Sequence, residues 1–186
     1  LFLDNDNNLW VGLNDGISKI KNLNGIKFFN RSYANINSIV NNVQLFNGSI
    51  YLSSSVGLKK LVTDSKSLRQ KFVSVETEKL QTQTWKIIKS GEKLFVGSNK
   101  GLGFLNNENE YINFIDKKII GPIYVMLKSK IFENFLLVGG KKGFHLINVK
   151  DKEIIKFPEI DIDRVWEVHE NLKTKEVYVR ILKKGI

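Results

Sequence analysis

Side chains able to do acid, base or metal chemistry are few in this chain and widely scattered. His145 and His169 each sit in an apolar, strand-like run, and neither has a second ligand at a metal-binding spacing, which favours structural roles. Cysteine is absent, so a disulfide framework, a thiolate metal site and a cysteine nucleophile are excluded, while the redox compartment stays open. Asp4, Asp6 and Asn8 alternate as the first ligands of a calcium loop do. No Gly or Glu follows where such a loop requires them, so the segment reads as a polar hairpin turn. No catalytic residue, metal or cofactor is therefore expected. What remains is binding chemistry: lysines placed in turns at Lys100, Lys141, Lys142, Lys183 and Lys184, and aromatic residues beside polar ones at Trp85, Tyr124 and Trp166, with Arg164 nearby.

These groups hang on a repeat. Asn8-Leu9-Trp10-Val11-Gly12 with Gly16-Ile17 returns as Ile50-Tyr51-Leu52-Ser53 with Gly57-Leu58, then as Leu94-Phe95-Val96-Gly97 with Gly101-Leu102. It returns again as Leu136-Leu137-Val138-Gly139 with Gly143-Phe144, and as Val177-Tyr178-Val179 with Gly185-Ile186. Taking Trp10, Tyr51, Phe95, Leu137 and Tyr178 as equivalent gives spacings of 41, 44, 42 and 41 residues. A fixed period of this size marks units that bury their apolar surface only against their neighbours. Trp10 is accordingly a core position of the repeat.

Each unit consists of short apolar runs separated by Asn, Gly, Ser, Asp and Lys clusters, the pattern of strands and hairpins. The second unit predicts strands at 39–45, 50–54, 58–62 and 72–76, with Asn47-Gly48 as a tight turn in which both residues tolerate positive φ. Runs such as Leu94-Phe95-Val96 are apolar on both sides, which suits a sheet covered on both faces. Four-stranded antiparallel sheets of about 40 residues stacked face to face are propeller blades. The expected fold is therefore all-β, a β-propeller with blades over residues 1–36, 37–80, 81–120 and 121–162 and a partial blade over 163–186. Four blades and a surplus hairpin point to an incomplete segment of a larger propeller of six to eight blades. The alternative is a small closed ring whose terminal strands share one blade.

Composition sets further bounds. The 186 residues carry 29 basic and 19 acidic groups, a formal charge of +10, yet no block of like charge marks a nucleic-acid-binding arm. No apolar run is long enough to span a bilayer as a helix, and no basic and apolar leader precedes the first repeat.

The stretch Asp4-Asn5-Asp6-Asn7-Asn8-Leu9-Trp10-Val11-Gly12-Leu13-Asn14-Asp15-Gly16-Ile17 resembles the two-component regulator propeller repeat. In that family the phrase runs acidic-x-acidic-Gly-Asn-Leu-Trp-(Val/Ile)-Gly-Thr, then two variable residues, then Gly-Leu. Asn7 replaces the usual Gly and Leu13 the usual Thr. The third copy, from Gly91 to Leu102, follows with Phe95 in the Trp place. The resemblance implies an extracytoplasmic ligand-sensing module, the periplasmic or extracellular portion of an inner-membrane protein, with no chemistry of its own. It further implies downstream sensor and histidine kinase domains in the same protein and a polysaccharide-derived ligand. A homodimer is compatible with it. Alternatives are a propeller enzyme acting on polysaccharides, which would need a polar cluster that two histidines do not supply, and a scaffold for protein docking. Nucleic acid is disfavoured.

In a propeller the turns between second and third strands share a face with the segments leading into the first strands, and that face usually binds the ligand. Lys100, Lys141, Lys142, Lys183 and Lys184 fall in those turns. Trp85, Tyr124, Arg164 and Trp166 fall in the leading segments. Converging lysines would focus a field on an acidic or sulfated glycan, and aromatic rings would stack on sugar. Equally, lysine is an ordinary soluble turn residue, and an aromatic at a strand start can belong to the core.

Overall fold

Asn47 and Gly48 join two strands at φ 47° and 69°, the positive values that a two-residue hairpin with the right twist demands. The recurring glycine after the second strand has the same need: φ is 135°, 133°, 101° and 95° at Gly16, Gly57, Gly101 and Gly143. These turns cut the apolar runs into short antiparallel strands. The computed structural model describes residues 1–6, 8–21, 25–29, 34, 36–65, 67, 69–75, 80–157 and 164–182.

The first sheet is β1 (Phe2–Leu3), β2 (Leu9–Leu13), β3 (Gly16–Lys21) and β4 (Gly25–Phe29). The second is β5 (Val40–Phe46), β6 (Ser49–Ser54), β7 (Gly57–Thr63) and β8 (Gln70–Ser74). The third is β9 (Thr84–Ser90), β10 (Lys93–Ser98), β11 (Gly101–Leu105) and β12 (Tyr111–Asp116), followed by the one-turn helix α1 (Lys117–Ile120). The fourth is β13 (Ile123–Lys128), β14 (Phe135–Gly140), β15 (Gly143–Asn148) and β16 (Ile154–Lys156). A two-stranded sheet, β17 (Val165–Asn171) with β18 (Glu176–Ile181), follows. Strand order follows chain order throughout, so every blade is a meander. The chain divides into two compact units, Leu1–Lys89 and Ser90–Ile186.

The repeated phrase now has a physical meaning. In the first four copies its aromatic place is buried: Trp10 is 2% exposed and stacks on Phe29 at 5.4 Å, and Phe95 meets Phe104 and Phe114 at 5.5 Å each, whereas Tyr178 of the fifth copy is exposed. Its glycine place is where a second strand approaches the first strand of the next sheet. Gly12 packs on Val40, Gly97 on Ile123 and Gly139 on Val165, and Ser53 in the same place donates from Oγ to the Trp85 carbonyl at 3.3 Å. Only a small residue fits there. Arg180 is the exception, and its guanidinium turns to Glu167 instead, at 3.0 and 3.1 Å.

The acidic segment of the first copy is a hairpin turn, as the sequence suggests. One Asp4 carboxylate accepts from the N–H groups of Asp6 and Asn8, from the Asn8 amide and, at 2.8 Å, from the Trp10 indole, with Lys19 Nζ at 3.3 Å. Burial pushes its pKa up, but these hydrogen bonds outweigh burial and hold it at about 2. A comparable device closes the turns between third and fourth strands. Asp64, Asn106 and Asn148 each accept a backbone N–H within the turn, from Ser67, Glu108 and Lys150 respectively.

Candidate ligand-binding rim

The first strands of the second to fifth sheets carry the residues of interest, and three of them, β5, β13 and β17, are bulged at their start. In β5 the register runs Val40 to Ser54 and then Asn42 to Ser53, leaving Asn41 as the extra residue. In β13 it runs Ile123 to Gly140 and then Val125 to Gly139, leaving Tyr124. In β17 it runs Val165 to Ile181 and then Glu167 to Arg180, leaving Trp166. A bulge re-aims the side chain of the extra residue and raises the local twist. Trp85 is the corresponding residue of β9, one after buried Thr84 as Asn41 is one after buried Val40. The sequence places Trp85, Tyr124 and Trp166 in segments leading into the first strands; the structure places them inside those strands.

Two of these rings are brought together. Tyr124 and Trp166 stack at 4.7 Å with an interplanar angle of 11°, both half-buried. Trp85, also half-buried, belongs to the first unit, where Asn41 Nδ2 donates to the Thr84 carbonyl at 2.7 Å and Asn42 Oδ1 accepts from the Ile87 N–H at 3.3 Å. Asn41 thus spends its amide on the neighbouring first strand.

Backbone bonds tie the rim together in the second, fourth and fifth blades. Ser55 N–H donates to Ile39, Lys141 N–H to Pro122 and Leu182 N–H to Arg164, at 3.0, 2.9 and 2.9 Å. Each bond holds the turn after a second strand beside the residue leading into the first strand, so these elements share one end of the sheet. Lys100, Lys141, Lys142 and Arg164 are exposed at that end. Lys142 Nζ donates to the Lys118 carbonyl on α1, and its side chain lies over Gly121, at φ 73° the residue that ends the helix. Lys142 thus folds against its own surface. Lys183 and Lys184 lie outside the described residues. The rim so assembled is a stacked aromatic pair flanked by exposed cations.

Both histidines are in strands. His145 in β15 is 3% exposed, and burial, then the fields of Lys156 and Lys142, push its pKa down to about 4. His169 in β17 is exposed, 3.9 Å from Glu167. Among the described residues no group of three or more His, Cys, Asp and Glu side chains is placed to hold a metal ion, and no helix is long and apolar enough to cross a membrane.

No family model matches the sequence, and no curated protein matches it either. Solved structures do match the fold. The extracellular domain of BT4673 from B. thetaiotaomicron, assigned to a one-component system, superposes with a TM-score of 0.73 at 16% identity over 96% of this chain. A second structure of that domain, assigned to a hybrid two-component system, superposes with a TM-score of 0.73 at 15% identity over the whole chain. The extracellular domain of BT3049, assigned to a hybrid two-component system of the same organism, gives 0.70 at 14% over 98%. The chain spans about a quarter of each of these domains, 24%, 26% and 27% of their lengths. The fold of this chain is therefore that of a partial β-propeller, and it recurs in the extracellular domains of bacterial one- and two-component systems.

Proposed function

We propose that this chain is part of the ligand-sensing propeller of an extracytoplasmic region in a bacterial two-component system, and that it recognises a carbohydrate. The observation that carries the reading is the likeness of fold, over nearly the whole chain, to extracellular domains assigned to such systems. The phrase Asp4-x-Asp6-x-Asn8-Leu9-Trp10-Val11-Gly12, whose apolar core recurs in four further copies, supports the same class. In this reading the module does no chemistry. It binds outside the cell membrane and passes the event to sensor and histidine kinase domains elsewhere in the protein, alone or as a homodimer.

The stacked pair Tyr124 and Trp166 supports a sugar ligand. A flat, half-buried aromatic surface beside Arg164 and the Lys141–Lys142 turn offers a pyranose both a stacking face and polar partners. Lys100 and Trp85 belong to the same set of positions in the third blade, as Lys183 and Lys184 do in the fifth. Calorimetric titration of the intact protein with neutral, uronic and sulfated oligosaccharides, at low and physiological salt, tests the reading. Selective micromolar binding that survives salt and is lost in Trp166→Ala supports it. Binding that tracks charge alone and vanishes with salt sinks the carbohydrate assignment.

A further inference from the structure

At the other end of the strands from the rim, the third and fourth sheets frame a groove of about 680 Å³. We infer that this groove is a second binding site, for an anionic oligosaccharide carrying sulfate or carboxylate groups. That the anion is a glycan rests on the proposed function above.

Three observations lead there. The first is charge: Lys93, Lys128, Lys130 and Lys150 line the groove against Glu92 and Glu133. Among the described residues, no carboxylate lies within ion-pair distance of any of these four ammonium groups. Lys93 instead rests over the Phe104 ring at 4.6 Å, which holds it in place. Four ammonium groups against two carboxylates leave the wall net positive, which favours an incoming anion. The volume lies in the range of ligand sites.

The second is rigidity. The β13–β14 loop, which supplies Lys128 and Lys130, is pinned from β17 by Glu170. That carboxylate accepts from Ser129 Oγ and from the N–H groups of Lys130 and Ile131, at 2.8 and 3.4 Å for the latter two. Ser129 Oγ in turn accepts from the N–H groups of Ile131 and Phe132 at 3.1 and 2.8 Å. The loop is thus ordered before any ligand arrives, and less ordering entropy is lost on binding.

The third is an internal control provided by the repeat. The first unit has the same groove between its first two sheets, about 670 Å³ in volume. There Lys19 and Lys60 face Asp4 and Asp6, and Lys19 is paired with Asp4 at 3.3 Å. Architecture repeats the groove, whereas the excess of positive charge is peculiar to the sequence of the second unit.

The test is calorimetry on the intact protein with a sulfated tetrasaccharide, an oligogalacturonate, a neutral oligosaccharide of the same length and a single-stranded DNA oligomer of matched charge. Lys128→Glu with Lys130→Glu should weaken both acidic saccharides at least about tenfold. Lys60→Glu, in the groove of the first unit, should leave them unchanged. Lys93→Gln with Lys150→Gln is a second, milder pair, and melting curves check that each variant folds. Acidic saccharide binding that persists in both lysine pairs, or that Lys60→Glu weakens as much as they do, overturns the inference. So does equal affinity for the DNA oligomer. Neutral binding without acidic binding would remove the groove and leave the sensor reading standing, while no saccharide binding would remove both.

Discussion

Asp4 and His145 show how single side chains are fixed by their surroundings. Asp4 is the only acceptor described for the Trp10 indole N–H, and that ring is 2% exposed. Asp4→Ala leaves the donor buried and unmatched, at a cost of about 2 kcal/mol, readable as a lower urea midpoint with the m-value unchanged. Because the folded pKa lies below the unfolded value, the stability that Asp4 contributes is present above about pH 4 and fades as pH falls through about 2. For His145 the sign runs differently, since it is a base held neutral. The unfolded chain takes up a proton near pH 6.5, the folded protein only near 4, so stability is lost as pH falls between those values. His145→Gln removes the titration. Relative to the parent, this variant should gain on the order of 2 kcal/mol between pH 6.5 and 4, measured by urea denaturation at each pH; parallel curves would refute the assignment.

Among the strands and turns, the glycine of the repeated phrase is a spacing device, and its tolerance should differ from blade to blade. A Cβ at Gly139 would lie 2.3 Å from Val165 Cγ1 and 2.7 Å from Val125 Cγ1, and both valines are stiff at χ1 in a strand. A Cβ at Gly12 would meet Val40 Cγ1 at 3.7 Å, ordinary contact. Gly139→Ala should therefore cost about 2 kcal/mol through overpacking, whereas Gly12→Ala should stay within about 0.5 kcal/mol of the parent. Thermal melts of the two variants side by side check this, and equal melting temperatures would show that the fourth and fifth sheets separate more easily than their geometry implies. Other features of the elements escape the eye in sequence. Asp64, Asn106 and Asn148 recur at intervals of 42 residues, but a lone Asx in a polar loop carries no contrast with its neighbours. The bulges at Asn41, Tyr124 and Trp166 are hidden for a related reason: alternation over a short strand looks the same with one residue more.

For the whole molecule, blade architecture was legible because a buried phrase must repeat wherever the same packing repeats, and Trp10, Tyr51 and Phe95 announce it at near-constant spacing. The candidate binding surface was legible only in part. Lys142 counts as a rim cation in the sequence, yet it folds onto the Lys118 carbonyl, a contact set by α1, whose single turn leaves no periodic trace. The groove of Lys93, Lys128, Lys130 and Lys150 draws on three separate turns, so no sequence window contains it. Charge also has a consequence for the molecule as a unit. With 29 basic against 19 acidic groups, the folded protein concentrates a net +10 that the unfolded chain spreads over a larger volume. The described ion pairs offset little of this, since Lys71–Asp64 and Arg180–Glu167 are half-exposed surface pairs and Lys19–Asp4 is a single, more buried one. Self-repulsion should therefore be the dominant salt-sensitive effect on stability. Raising sodium chloride from 10 to 150 mM shortens the screening length from about 30 to about 8 Å and should raise the melting temperature by a few degrees. The gain should shrink as pH is raised toward the sequence pI of about 9.6. A melting temperature that falls with added salt at pH 7 would mean that attractive pairs outweigh repulsion, and that the lysine-rich surface is already neutralised by carboxylates within the fold.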